Sequence, residues 1–155
     1  MIDVIALADF NARYAQVIDS DALEEWPAFF TEKCLYRITH VENEREGLAA
    51  GIVYADSRAM LEDRVAALRE ANIYERQRYR HLLGLPLIVA SDPTGTVAQT
   101  PFMVARIMAG TGETMLFATG QYQDRFVMEG GRVLLAERVA VCDSTVTDTL
   151  MALPL

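Results

Sequence analysis

Apolar residues recur at intervals of three and four along residues 2–18: Leu7, Phe10, Tyr14, Val17 and Ile18. That period puts them on one stripe of a helix. Asp19-Ser20-Asp21 ends it. Asp21 and Glu24 have capping-box spacing, which predicts a second, short helix through Trp26. Pro27 fits a helix start or break, and Phe29 and Phe30 suit the interior. From Cys34 to Val41 the period drops to two: Cys34, Tyr36, Ile38 and His40 share one face, and Leu35, Arg37, Thr39 and Val41 the other. This predicts a first strand. Residues 42–47 read as a polar turn, and Leu48 to Tyr54 fits either a strand or a lid. Asp56 or Ser57 caps a third helix running to about Asn72, with Arg58 exposed. Its buried stripe is Leu61, Val65, Leu68 and Ala71, widened by Met60 and Ala67.

Beyond it the chain is strand-like. Tyr74 to Val89 reads as one strand in which Arg76, Arg78 and Arg80 alternate with Gln77, Tyr79 and His81. Pro86 removes one ladder donor and marks an edge, a bulge or an end. A turn at residues 91–95 leads to three long strands at about Thr96–Met108, Glu113–Met128 and Arg132–Cys142, an antiparallel meander. Gly120 in mid-strand suggests a bulge. The tail ends apolar, with Leu150, Met151, Leu153, Pro154 and Leu155, and should dock on something. Helices first and strands together afterwards make the class α+β. The expected architecture is cone-shaped: one domain over residues 1–155, a strongly bent, mainly antiparallel sheet around the N-terminal helix.

Charge narrows the partners. The 155 residues carry a net charge of −8, with 22 acidic against 14 basic residues, which argues against nucleic acid. The basic cluster at Arg76–Arg80 is short. It reads either as a solvated edge strand or as a polar interface, since guanidinium forks suit carboxylates. No apolar run approaches the length of a membrane helix, and no basic-then-apolar leader is visible, so a cytoplasmic protein is expected. Cys34 and Cys142 are far apart and read as free core thiols.

Catalytic signatures are sparse. The histidines are His40 and His81, too few for an iron site beside other duties, and neither the Cys-His pairs of a Rieske cluster nor a phosphate loop occurs. No catalytic, metal or cofactor-binding residue is therefore expected in the chain. His81 is the best acid–base candidate, with Tyr36, His40 or Asp124 as companions. A histidine ordering backbone or a contact is favoured over catalysis, because no spacing identifies a base with its orienting partner.

Several stretches carry a resemblance: Trp26-Pro27-Ala28-Phe29-Phe30-Thr31, Tyr36-Arg37-Ile38, the capped helix from Asp56, and Arg78-Tyr79-Arg80-His81. Together they resemble the small (beta) subunits of bacterial aromatic-ring-hydroxylating dioxygenases, which adopt the cone-shaped fold of nuclear transport factor 2 and ketosteroid isomerase. Glu70–Arg76 and Cys142–Leu155 carry a narrower likeness to members acting on an aromatic dicarboxylate. The resemblance implies a non-catalytic assembly subunit. The partner large (alpha) subunit would carry a Rieske 2Fe–2S cluster and a mononuclear Fe(II). A reductase would supply electrons from NAD(P)H, and three large would stand on three small subunits. The expected interface residues are Arg76, Arg78, Tyr79, Arg80, His81, Leu150, Met151, Leu153 and Leu155. The alternative is a stand-alone isomerase or dehydratase of the same fold using His81, which requires an open interior pocket.

Overall fold

The computed structural model describes residues 1–47, 53–71, 76–144 and 153–155. Helix α1 spans Val4–Asp19. Asp3 caps it, accepting the Ala6 N–H at 2.8 Å, one of the first-turn donors that has no partner within the helix. Its buried face carries Leu7, Phe10, Asn11, Tyr14, Ala15, Ile18 and Asp19; the predicted stripe gains Ala15 and two polar residues, and Val17 is only partly buried.

The second helix differs from expectation. Leu23–Phe29 forms a 3-10 helix containing Pro27, which lacks the N–H a regular helix would use. The capping box does not form. Asp21 takes a left-handed backbone (φ 61°), and the Asp21 and Glu24 carboxylates both accept from Arg69. Strand β1, Phe30–His40, starts earlier than predicted. Short helix α2, Val41–Arg45, replaces the expected polar turn, and strand β2, Val53–Ala55, pairs antiparallel with β1. Helix α3, Arg58–Ala71, is capped by Ser57, whose hydroxyl accepts the Met60 N–H at 3.2 Å. Leu61 and Val65 are buried and Leu68 partly so, whereas Met60 and Ala67 are exposed; the stripe is narrower than predicted. The expected ends at Asn72 and Tyr74, and the strand-or-lid residues 48–52, lie outside the described residues.

The long strand expected from Tyr74 to Val89 is two strands, β3 (Gln77–Leu83) and β4 (Leu87–Asp92). Both lie antiparallel along β5 (Gly95–Met108): β3 against residues 102–108, β4 against residues 95–99. Pro86, with no N–H, lies in the break between them. Strands β6 (Thr114–Glu129) and β7 (Arg132–Cys142) complete the meander. Among the described residues the sheet order is β2-β1-β7-β6-β5-β3, with β4 also on β5. The sheet is curled, unclosed and mixed, because β1 runs parallel to β7.

Gly120 is not a bulge. Its register is unbroken, Phe102↔Gly120↔Cys142. A Cβ there would strike the Val141 carbonyl oxygen and lie 2.9 Å from Phe102 Cζ, so close approach explains the glycine. The irregularities fall instead between Val104 and Ala105 and between Arg125 and Phe126. Rings of α1 fill the buried side of the sheet: Phe10 meets Phe126 at 5.3 Å and Tyr14 meets Tyr122 at 6.3 Å, edge to face. Trp26 packs on Tyr36 at 5.1 Å.

Candidate functional site

Two polar assemblies interrupt the apolar core. The first lies inside the sheet's curl. Asp124 on β6 stands directly across from Arg138 on β7. Arg138 Nε and Nη2 each donate to one Asp124 carboxylate oxygen at 2.8 Å. Nη2 also donates to Asn11 Oδ1 at 2.6 Å, and Asn11 Nδ2 donates to Thr100 Oγ1 at 3.3 Å. The guanidinium lies between the rings of Tyr14 (4.2 Å) and Tyr122 (3.9 Å). Phe102 stacks on Tyr122 at 4.7 Å. Burial pushes the Asp124 carboxyl upward and the Arg138 charge opposes it. For Arg138 burial works against the charge, but Asp124 outweighs it and holds the guanidinium protonated. The bidentate geometry favours the ion pair over the neutral pair.

A general base needs a lone pair facing its substrate. Here both carboxylate oxygens face Arg138, and aromatic rings cover the guanidinium. The assembly ties α1 to β5, β6 and β7. Arg138 and Asn11 are residues that sequence reasoning missed. Both sit at apolar-phase positions: Arg138 in register with Ala140 and Cys142 on one strand face, Asn11 beside Phe10 and Tyr14 on the helix stripe. A charged or amide side chain in such a phase was the available signal.

The second assembly joins α1 to the edge strand β3. His81 Nδ1 lies 2.7 Å from Asp19 Oδ1, and the His81 backbone N–H donates to Asp19 Oδ2 at 2.8 Å. Asp19 is thus the partner of His81, in place of Tyr36, His40 or Asp124. Tyr36 instead donates to the Leu155 carbonyl oxygen at 3.1 Å. The dyad closes part of the open edge of β3 against strand addition.

The alternation predicted along β3 holds. Arg78, Arg80 and Leu82 are exposed; Tyr79 and His81 are buried; Arg76, just before the strand, is exposed. Tyr79 and Phe117 lie with ring centroids 5.3 Å apart, tilted to each other, and Tyr79 and His81 are covered by residues of this chain. Leu153 and Leu155 are covered by this chain as well. Both are buried in the core, and the Leu155 carbonyl oxygen accepts from Tyr14 at 2.8 Å. Leu150 and Met151 lie outside the described residues. Arg58, expected to be exposed, reaches the Phe30 carbonyl oxygen through Nε and Nη2 at 3.0 and 2.6 Å. Among the described residues, no three His, Cys, Asp or Glu side chains converge as a metal site.

Comparison with known proteins decides the family. The SnoaL-like domain family matches residues 2–139. The beta 1 subunit of the terminal oxygenase component of terephthalate 1,2-dioxygenase from Comamonas sp. is 64% identical over 155 residues, all of both chains. The chain belongs to the small-subunit family of aromatic-ring-hydroxylating dioxygenases. Within that family, the anthranilate 1,2-dioxygenase small subunit of Burkholderia cepacia is 36% identical over 143 residues, covering 92% of this chain and 88% of that one. A solved beta subunit from Novosphingobium aromaticivorans, assigned to an aromatic-ring-hydroxylating dioxygenase, superposes with a TM-score of 0.89. It is 39% identical and covers 98% of this chain and 96% of its own. The fold is therefore the nuclear transport factor 2-like cone, and the narrower likeness read from Glu70–Arg76 and Cys142–Leu155 is to the terephthalate member.

Proposed function

We propose that this chain, as one domain over residues 1–155, is the non-catalytic small subunit of a terephthalate 1,2-dioxygenase. The holoenzyme would convert the aromatic dicarboxylate to a cis-dihydrodiol for catabolism of aromatic compounds. The full-length 64% identity to the terephthalate subunit carries this reading. The interior supports it: Phe10, Tyr14, Tyr122 and Phe102 pack ring on ring where a stand-alone enzyme of this fold needs space for substrate. The large subunit holds the Rieske 2Fe–2S cluster and the mononuclear iron, a reductase delivers electrons from NAD(P)H, and three small subunits support three large ones in the cytoplasm. Arg76, Arg78 and Arg80 form the polar part of the contact with neighbouring subunits.

The test is co-expression with the large subunit followed by light scattering. The account expects one brown complex of both chains in equal number. A chain that stays a colourless monomer and leaves the large subunit behind refutes it.

A further inference from the structure

Two adjoining grooves, of about 470 and 480 Å³, run between the C-terminal end of α1 and β3 and share Asp19, Ser20 and Arg78. Arg76, Arg78 and Arg80 line them, and Ala12, Ala15 and Leu83 supply apolar surface. Among the described residues, Asp19 and Asp21 at this edge already have partners. Both Asp19 oxygens face His81, and both Asp21 oxygens accept from Arg69 Nη1, at 3.0 and 3.1 Å. Arg80 stands 3.9 Å from an Asp19 oxygen that is already engaged. Among the described residues, no carboxylate pairs with Arg76 or Arg78. A chain of net charge −8 thus presents Arg76 and Arg78 along this groove with no carboxylate partner among the described residues.

We infer that this groove receives an acidic segment of the large subunit, in extended conformation, with carboxylates at alternate positions. This rests on the small-subunit reading above. Alternate strand residues lie about 6.8 Å apart, so the guanidiniums match carboxylates two residues apart on an extended partner. Asp19 occupies the His81 N–H, so recognition runs through side chains and not through an added strand. A second copy of this chain fits less well. It carries the same −8 charge, and several of its acids are already matched to arginines, as in Asp9–Arg13, Glu44–Arg37 and Glu24–Arg69.

The experiment titrates the purified large subunit with the full-length small subunit by calorimetry. The proteins are wild type, R76Q/R78Q/R80Q and the exposed control R132Q. The triple variant should bind about tenfold or more weakly and lose most of the salt dependence of the wild-type Kd, with R132Q unchanged. If the triple variant melts below the assay temperature, R78Q alone carries the comparison, with a smaller weakening expected. Equal binding of the arginine variants and wild type overturns the groove while leaving the small-subunit reading intact. Loss of small-subunit self-association with unchanged large-subunit binding also overturns it, in favour of a second copy. Wild type that fails to bind the large subunit overturns both readings.

Discussion

Replacing Arg138 by methionine tests whether the polar cluster inside the curl is scaffold or chemistry. The change removes two 2.8 Å bonds to Asp124 and one of 2.6 Å to Asn11. It leaves a carboxyl group stranded at a fully buried position. Breaking one side of a buried pair costs about 3–5 kcal/mol. Losing the stacking on Tyr14 and Tyr122 adds to this, but not independently. A loss of about 4 kcal/mol is expected, a large share of the ~5–15 kcal/mol that holds a domain together. The double variant R138M/D124L removes both charges and keeps apolar volume. It should recover to within about 2 kcal/mol of wild type, the remainder being the unpaired Asn11 oxygen. Urea unfolding followed by the fluorescence of Trp26, the sole tryptophan and fully buried, reads both variants. Assembled with the large subunit, the double variant should retain turnover within about twofold. A single variant costing below about 1 kcal/mol, or a double variant costing the sum of both singles, refutes the scaffold reading. So does a folded, assembled double variant without turnover.

Three further outcomes are expected. Truncation after Ala152 removes Leu153 and Leu155 and strips the Tyr14 and Tyr36 hydroxyls of their shared acceptor. At about 1.5–3 kcal/mol per buried leucine the urea midpoint should fall sharply, and an unchanged midpoint would show that the tail is no part of the core. Burial pushes the Cys34 and Cys142 thiols up to about 11. At pH 8 about one thiol in a thousand is then thiolate, so iodoacetamide should label the native chain far more slowly than the urea-unfolded chain; equal rates contradict the packing. Gly120→Ala should cost about 1–3 kcal/mol in the same urea assay, because the new methyl meets the Val141 carbonyl oxygen; a neutral result means the strands part more easily than described.

How legible the protein was depended on whether the signal was local. Helices α1 and α3 and the meander of β5, β6 and β7 follow from apolar period and turn residues, and the structure keeps them with small shifts at the ends. The failures are tertiary. The Asp21–Glu24 spacing suggested a capping box, but Arg69 on α3 offers both carboxylates charge-assisted partners from far along the chain. Gly120 looked like a bulge until its neighbours across β5 and β7 were in place. The parallel pairing of β1 with β7 left no mark in either segment. The same limit applied to the site. The outward alternation of Arg78 and Arg80 was readable, yet Asp19 as the partner of His81 was not, because 62 residues separate them. The apolar tail was expected to dock, but sequence could not tell this chain's own core from a neighbour's surface.

The central claim is that this chain supports a reaction centre it does not contain. Iron content and dihydrodiol formation from terephthalate, measured on each purified subunit and on the reconstituted oxygenase with its reductase, test it most directly. The account predicts iron with the large subunit, turnover only in the reconstituted enzyme, and no turnover by this chain alone. Conversion of terephthalate or another small molecule by the isolated chain would contradict it.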